Sequence, residues 1–341
     1  MGRFWDPFRI LTLVAIVWTL ILIGVGAYVR LSNAGLSCPG WPACYGHLTV
    51  PTRPGVVQQV DIHHPHHPLV PRKAMKEMFH RYLAGGLGFV ILALAGLGLS
   101  RTRRAQGRPR WFPLFVLLLV LLQAALGMWT VTLELEPVIV LAHLIGAFLI
   151  FDGLLLLWAM DTNTFHWKGE VSSSWGRRVG VLALGFLVAQ ILLGAWTSTH
   201  YAWVGCPDFP TCLGSFWPAH LEFGRAFRLW DPLGVDYQGG TLPLHARAAI
   251  YILHRIGAVV VLVTVVAWCL ALLRSSRHLG VRVTSLVVIL LTLLQVAIGV
   301  TLASVGMPRW LADSHTVVAA LLLGATTLLV YALWTPASVP F

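Results

Sequence analysis

The sequence predicts an all-α membrane protein with eight transmembrane helices, arranged as two pseudo-symmetric four-helix bundles. Three observations lead to this prediction. Of the 341 residues, 57% are hydrophobic and only 11% are charged, and the mean hydropathy is +0.77, as is typical of polytopic membrane proteins. Eight apolar stretches are long enough to cross a bilayer. One set of motifs also occurs twice, in the same order.

The apolar stretches define the predicted spans. The first is too long for a secretion signal and lacks a small-residue cleavage site before Arg30, so we interpret it as a retained span. The spans run roughly over 9–31, 78–100, 112–134, 137–160, 178–200, 247–273, 281–304 and 309–334. They divide into an N-terminal bundle, 1–165, and a C-terminal bundle, 166–341. Each half has an even number of spans, so both enter the membrane in the same direction, as parallel repeats do.

Basic residues predict the orientation. The net charge of +11 could suggest a nucleic-acid partner, but the basic clusters all fall on one side of an eight-span topology. They comprise Arg3, Arg9, Arg101, Arg103, Arg104, Arg108, Arg110, Lys168, Arg177, Arg178, Arg274, Arg277 and Arg282. The positive-inside rule makes this side the cytoplasm and places both termini there. We therefore expect anionic lipid as the neighbour, and not nucleic acid. The lack of a cleavable presequence favours a bacterial plasma membrane.

Two cysteine pairs belong to the repeated motif set. Cys38 and Cys44 lie 168 positions before Cys206 and Cys212, and both pairs fall in outer loops. Their C-x5-C spacing, with prolines between, differs from the C-x2-C arms of zinc sites. In an oxidising compartment we expect the disulfides Cys38–Cys44 and Cys206–Cys212. The alternative is that each is a thiol pair that exchanges electrons with a partner. The fifth cysteine, Cys269, lies in the sixth span and belongs to neither pair.

Four histidines complete the repeat. His80 and His254 each open an apolar run, and His143 and His315 lie near the starts of spans four and eight. We expect all four at one depth near the outer face, His80 facing His143 and His254 facing His315. Ionisable side chains there are costly unless paired, hydrated or ligating, which favours axial ligation of haem iron between helices. Neutral imidazoles bonded to backbone carbonyls are the alternative, and zinc or copper would need further ligands.

Arginines accompany these histidines. Arg81 and Arg255 directly follow His80 and His254. They are candidates to pair with haem propionates, or else they anchor the helices at the headgroups. Arg30, at the outer end of the first span, is a third propionate candidate.

One carboxylate distinguishes the two halves. Glu77 lies three residues before His80, on the same helix face, whereas Tyr251 occupies the position three residues before His254. Glu77 could accept or relay protons, or it could merely interact with the helix dipole. The asymmetry predicts a reactive N-terminal site and a cofactor-only C-terminal site.

Two other features are ambiguous. Asp152 lies in the middle of span four, where a proton path and a helix contact are both possible. The tract His63-His64-Pro65-His66-His67 could bind metal, but we favour a solvated outer loop.

The pattern Arg30-Leu31-Ser32-Asn33-Ala34-Gly35-Leu36-Ser37-Cys38-Pro39-Gly40-Trp41-Pro42, the motif Glu77-x-x-His80-Arg81 and the duplicated four-span halves resemble the haem A synthase family. The resemblance covers nearly the whole chain. It implies oxidation of the haem O methyl group to the formyl group of haem A, for cytochrome oxidase assembly. It also implies haem b as cofactor on His254 and His315, substrate haem between His80 and His143, and Glu77 as the catalytic carboxylate. The partners it suggests are the haem O synthase and an electron-transfer protein.

Two rival functions share some of these features. A dihaem b-type membrane electron-transfer protein would have the four histidines without substrate chemistry or a need for Glu77. A transporter built on parallel repeats would use the histidines as a proton relay.

Overall fold

The computed structural model describes residues 6–65, 68–100, 111–165, 174–230 and 232–335. These ranges contain ten α-helices and no named β-strand. The helices are α1 (Pro7–Leu31), α2 (Pro54–His63), α3 (Pro71–Gly98), α4 (Trp111–Thr132), α5 (Pro137–Thr162), α6 (Ser174–Thr199), α7 (Phe223–Ala226), α8 (Leu244–Ser275), α9 (Leu279–Val305) and α10 (Arg309–Trp334). The predicted all-α class is confirmed.

Eight of the described helices are long and apolar enough to cross a membrane, namely α1, α3, α4, α5, α6, α8, α9 and α10. They agree with the eight predicted spans to within a few residues, except that α3 begins at Pro71. Its first turns contain Arg72, Lys73 and Lys76, which lowered the hydropathy there. The helix nevertheless forms early because its apolar side packs beneath the loop that contains the first cysteine pair.

Local chemistry fixes several helix ends. Asp6 and Glu136 are N-caps whose carboxylates accept hydrogen bonds from the backbone N–H groups of Phe8 and Val138. A proline follows each cap, where its missing N–H costs nothing. Gly306 ends α9 in the left-handed conformation, which a residue without Cβ adopts readily.

The membrane helices pack in corresponding patterns in the two halves. In the first half α1 contacts α3 and α5, and α4 contacts the same two helices. In the second half α6 contacts α8 and α10, and α9 contacts the same two. Between the halves, α1 meets α10 while α5 meets both α6 and α10. These contacts agree with a division of the helices into two bundles. The pseudo-symmetry of the two bundles stays a prediction.

The two halves are joined at equivalent positions of the repeat. Arg30 donates a hydrogen bond to Ser198 Oγ at 2.5 Å and another to the Ser198 carbonyl oxygen. Tyr201 Oη donates to Asn33 Oδ1 at 3.2 Å, and the Arg30 guanidinium lies over the Tyr201 ring. The members of both hydrogen-bonded pairs are 168 positions apart. Each residue therefore meets its own counterpart.

Asp152 is a contact between helices of different halves. Thr327 on α10 donates to Asp152 Oδ2 at 2.8 Å. A Cβ built on Gly324, also on α10, would lie 3.5 Å from Asp152 Oδ1. Of the two predicted roles for Asp152, the helix contact is the one visible in the structure.

Several of the basic residues lie away from the cysteine loops. Arg9 at the start of α1 pairs with Asp161 near the end of α5 at 2.8 Å, and Arg177, Arg274 and Arg282 lie at the corresponding ends of α6, α8 and α9. Arg178 lies on the first turns of α6, and Arg277 lies between α8 and α9. The other predicted basic positions lie outside the described residues, namely Arg3, Arg101, Arg103, Arg104, Arg108, Arg110 and Lys168.

A buried tryptophan shows how closely the helices approach. Trp268 on α8 is 1% exposed, and its indole N–H donates to the Gly176 carbonyl oxygen at 2.9 Å. A Cβ built on Gly180 would lie 2.5 Å from the Trp268 ring. The contact between α6 and α8 therefore requires glycine at position 180.

We expect Gly180→Ala to destabilise the protein by about 1–3 kcal/mol, because the added methyl group overpacks against the Trp268 ring. The melting temperature of the detergent-solubilised protein should fall. Gly185→Ala on the same helix is the matched control, because a Cβ there would have no neighbour within 4 Å. Equal melting temperatures for the two variants would contradict this explanation of the packing.

Candidate functional site

One cavity of about 1260 Å³ is lined by residues of all eight membrane-spanning helices. His80, His143, His254 and His315 all line it. Both predicted histidine pairs thus contact this cavity. Its volume exceeds the roughly 300–1,000 Å³ of a typical small-molecule site. The cavity is therefore large enough to be considered for two ligands.

Each of the four histidine rings packs against a glycine on the preceding membrane helix. A Cβ built on these glycines would meet the ring Cε1 atom at 2.9 Å for Gly26 with His80, 3.1 Å for Gly127 with His143, 3.0 Å for Gly194 with His254 and 3.2 Å for Gly299 with His315. Ordinary van der Waals contact begins at 3.4 Å. Glycine thus lets each ring lie flush against a neighbouring backbone.

Within each half the two rings are near enough to interact electrostatically, His80 with His143 and His254 with His315. Nδ1 of His80, of His143 and of His315 is buried, and none of these three atoms has a hydrogen-bond partner in the described ranges. These are the pairs that the sequence predicted.

Glu77 and Arg81 form an ion pair beside the first histidine pair. The Glu77 side chain is 5% exposed, and its carboxylate accepts a hydrogen bond from the Arg81 guanidinium. It also accepts from the Cys38 N–H at 2.9 Å. Arg81 further donates to backbone carbonyls of the loop, including Gly40 at 2.7 Å and Cys38 at 3.0 Å. The Glu77 carboxylate lines the cavity. Hydrogen bonds from Arg81 and from the Cys38 N–H hold it in place.

The second half replaces this ion pair with aromatic contacts. The Arg255 guanidinium lies 4.4 Å from the centroid of the Tyr251 ring and 5.4 Å from that of Phe209. It donates to the backbone carbonyls of Thr211 at 2.7 Å and Asp208 at 3.0 Å. Arg255 Nε is buried without a hydrogen-bond partner among the described residues. Arg255 thus lies next to the cavity, and among the described residues no carboxylate forms an ion pair with it.

Both cysteine pairs are joined as disulfides, Cys38–Cys44 and Cys206–Cys212. The loops between them approach the cavity with Trp41 and Phe209, which are equivalent positions of the repeat.

Asp208 gives the second loop additional internal order. A hydrogen bond from the Thr211 hydroxyl, together with the N–H groups of Leu213 and Gly214, holds the pKa of Asp208 below its usual range.

His200 is a buried residue that the sequence analysis missed, because it follows α6 in a loop and has no histidine counterpart in the first half. It is 1% exposed and packs edge-on against Trp196. Burial, with smaller effects from Arg247 and Arg30, lowers the pKa of His200 to about 4. Only the Trp-x-x-x-His spacing hinted at this contact.

The histidine tract of the first loop forms no metal cluster within the part of the chain that the structure describes. His63 interacts with the Gln59 carbonyl at 2.7 Å, and the His64 ring packs against Tyr45. His66 and His67 lie outside the described residues.

The fold and the site together define a class of protein: a multi-pass membrane protein whose helices enclose two histidine pairs around one apolar cavity. Residues 9–327 match the COX15-CtaA family, described as cytochrome oxidase assembly protein. The chain belongs to this family.

Relatives in several bacteria match along most of their length. A protein of Shewanella oneidensis is 38% identical over 321 residues, covering 94% of this chain and 95% of the relative. Proteins of Allorhizobium ampelinum and Caulobacter vibrioides are 26% and 28% identical, covering 95% and 94% of this chain and 88% and 94% of the relatives. All three carry the name Heme A synthase.

We expect Gly26→Ala to weaken the binding of an iron porphyrin at the first histidine pair. The new Cβ would rotate the His80 ring away from its position, and a rotation of about 30° costs 0.5–1.5 kcal/mol, which is up to roughly tenfold in affinity. Titration of the purified protein with iron porphyrin, followed by absorbance, would measure the change. Gly85→Ala is the control, since Gly85 lines the same cavity and a Cβ there would meet nothing within 4 Å.

We also expect His200→Phe to reduce the loss of stability in acid. An unfolded histidine binds a proton near pH 6.5, whereas folded His200 does so only near pH 4. Its stabilising contribution is thus complete above pH 6.5 and is lost as the pH falls towards 4, by about 2 kcal/mol between pH 6.5 and 5. Melting temperatures at pH 7 and pH 5 would show this, with a substitution of the exposed His47 as control. An equal acid sensitivity of wild type and His200→Phe would overturn this assignment.

Proposed function

We propose that this protein is a haem A synthase, which oxidises a methyl group of haem O to the formyl group of haem A in the membrane. Membership of the cytochrome oxidase assembly family and the shared name of relatives up to 38% identical support this function. The observation that carries it is the difference between the two histidine pairs of one cavity. Among the described residues that line the cavity, the one carboxylate is Glu77, and it lies beside the first pair.

We assign the substrate haem to the first half, 1–165, between His80 and His143. Converting a methyl to a formyl group consumes one water and releases four protons and four electrons, and the electrons would pass to an electron-transfer partner. The carbon passes through a hydroxymethyl and then a gem-diol, which loses water to give the aldehyde. A buried base beside the substrate is therefore needed, and Glu77 is the carboxylate that lines this part of the cavity.

Arg81 and the first disulfide loop hold that base in place. Arg81 and the Cys38 N–H both bond the Glu77 carboxylate, so its orientation is fixed before substrate binds. The Arg81 guanidinium already donates to Glu77 and to the loop carbonyls. A haem propionate would therefore bind Arg81 alongside these acceptors. Arg30, which also lines the cavity, is a further propionate candidate.

Haem b fits the second half, 166–341, on His254 and His315. The two rings interact, line the apolar cavity and have no carboxylate at the Tyr251 position. The buried, unpartnered N–H of Arg255 within the described chain fits an anionic propionate. Haem b, when bound there, would supply a one-electron redox centre close to the substrate site.

We place the disulfide loops and both haem sites at the outer face of a bacterial plasma membrane. Arg177, Arg274 and Arg282 lie at the helix ends away from the disulfides, and the positive-inside rule assigns those ends to the cytoplasm. The chain ends would then be cytoplasmic, with lipid, haem O, a haem O synthase and an electron-transfer protein as partners.

Glu77→Gln should stop haem A formation without removing haem b. Loss of the proton acceptor is expected to slow the reaction by about 10²–10⁴-fold, so that haem O accumulates. The measurement is pigment extraction and mass analysis of protein purified from cells that produce haem O. Tyr251→Phe, at the equivalent position of the other half, is the matched control and should still yield haem A.

A dihaem electron-transfer protein predicts a different result. It would carry haem b in the wild type and in Glu77→Gln alike, with no haem A in either. A transporter would bind no haem in any of the variants. Either result would overturn the proposed function.

A further inference from the structure

We propose that an apolar groove between α3 and α4 binds the isoprenoid tail of the substrate and so distinguishes haem O from haem B. This tail groove is the part of the cavity lined by Phe89, Leu92, Leu117 and Leu121. The proposal rests on the proposed function, which assigns the substrate haem to the site between His80 and His143. It deepens that function by naming the residues that recognise the tail.

The tail groove breaks the correspondence between the two halves. Residues 174 positions apart on α3 and α8, and residues 172 positions apart on α4 and α9, are equivalent in the repeat, as His80 is to His254 and Gly127 to Gly299. Every residue of α3 and α4 that lines the cavity has an equivalent that also lines it, except the four of the tail groove. Their equivalents are described residues and do not line the cavity, namely Val263, Val266, Ile289 and Leu293. The cavity therefore extends further in the first half.

The extension runs into the membrane, away from the disulfide loop. Leu92 follows His80 by 12 residues on α3, which is roughly 18 Å along a helix. Leu117 precedes Gly127, the glycine against the His143 ring, by 10 residues on α4, or about 15 Å. Both walls thus continue to a similar depth below the histidine pair. The result is a long apolar groove that is continuous with the proposed porphyrin site.

The tail groove lies at the edge of the helix bundle. Phe89 is 75% exposed, Leu121 61% and Leu92 53%, although all three line the cavity. Side chains that line a cavity and are this exposed do not belong to a sealed interior. In a membrane this side of the bundle faces lipid, so an apolar chain can enter the groove from the bilayer.

Small residues create the space between α3 and α4. Three lining positions have a small residue in the first half and a larger one in the second, namely Gly85 for Val259, Gly88 for Leu262 and Ala124 for Val296. A Cβ built on Gly88 would have one neighbour within 4 Å, a methyl group of Val120 at 4.0 Å. The space that the Leu262 side chain takes in the second half is therefore free in the first.

The chemistry of haem O fits this placement. Its hydroxyethylfarnesyl tail is attached at the porphyrin edge opposite the two propionates, and haem B has a vinyl group there. Arg81, a propionate candidate, and Glu77 lie at the disulfide-loop end of the site, whereas the groove lies at the other end. The methyl group to be oxidised shares a pyrrole ring with one propionate. A tail in the groove would therefore bring that methyl group to the end of the site that holds Glu77.

The groove gives selectivity through packing. A free isoprenoid chain gains little on leaving lipid, because lipid chains are as apolar as the groove. A tail joined to a bound porphyrin is different, since its binding is intramolecular and has a high effective concentration. Haem B would bind through the histidines alone and leave the groove to lipid.

The test uses full-length protein purified with haem b in its second half and titrated anaerobically, in detergent, with haem O or haem B. Soret absorbance gives the dissociation constant of the first site. The wild type should bind haem O about tenfold more tightly than haem B. Gly88→Leu should abolish this preference by filling the groove. It should leave haem B binding unchanged, because Leu262 occupies the equivalent position beside the proposed haem b site.

Gly96→Leu is the matched control for this substitution. Gly96 lies on the same helix outside the cavity, and a Cβ there would meet nothing within 4 Å. The control carries the same change of residue type in α3 without filling the groove. It should keep the full preference for haem O.

Phe89→Ala covers the case in which Gly88→Leu does not fold, because the fold depends little on so exposed a side chain. It should weaken haem O binding by about threefold, since lipid replaces part of the lost contact, and leave haem B binding unchanged. Equal affinities of the wild type for the two haems, or a haem O affinity that neither variant lowers, would overturn the proposal. A phospholipid that co-purifies with the wild type and is lost in Gly88→Leu, together with equal haem affinities, would assign the groove to a lipid chain instead.

The proposed function is scored separately, by mass analysis of haem A formed by the wild type. Haem A formation without a preference for haem O would overturn the tail groove alone. Absence of haem A would overturn the proposed function itself.

Discussion

The structure depends on placing four imidazole rings inside an apolar helical core. A polar ring there is costly unless its nitrogens are paired or bound to a ligand. Each ring lies against a glycine of the preceding membrane helix, and a single added methyl group would displace it. The close helix approach at these four points leaves the cavity between the helices. Backbone proximity, more than any side-chain contact, therefore sets where a ligand can bind.

The two halves share this arrangement and differ in the charges around it. In the first, the Arg81 charge is balanced by Glu77, while in the second Arg255 lies over Tyr251 and Phe209. A cation beside aromatic rings keeps more of its field than a cation in an ion pair. The second site thus favours anionic groups of a bound ligand, and the first retains a base. The exchange of Glu77 in the first half for Tyr251 in the second thus distinguishes the two chemical environments.

Much of the fold could be read from the sequence because hydropathy and motif repetition are local signals. The eight spans and the two cysteine pairs followed from these signals. The start of α3 was predicted too late, because Arg72 and Lys73 lower the hydropathy of its first turns, which pack beneath a loop. The four histidines and Glu77 were found from their spacing and are brought to one cavity. The glycines facing His143 and His315, the groove between α3 and α4 and buried His200 were missed. They depend on which helix faces meet, and no local pattern encodes that.

The hydrogen bonds between Arg30 and Ser198 and between Asn33 and Tyr201 have an evolutionary consequence. A residue that touches its own counterpart behaves as in the isologous interface of a homodimer. A half-length ancestor with this surface would have associated with an identical copy, and both of its sites would have changed together. Fusion of two such genes removes that restriction. One copy can then specialise in holding a pigment, and the other in altering it.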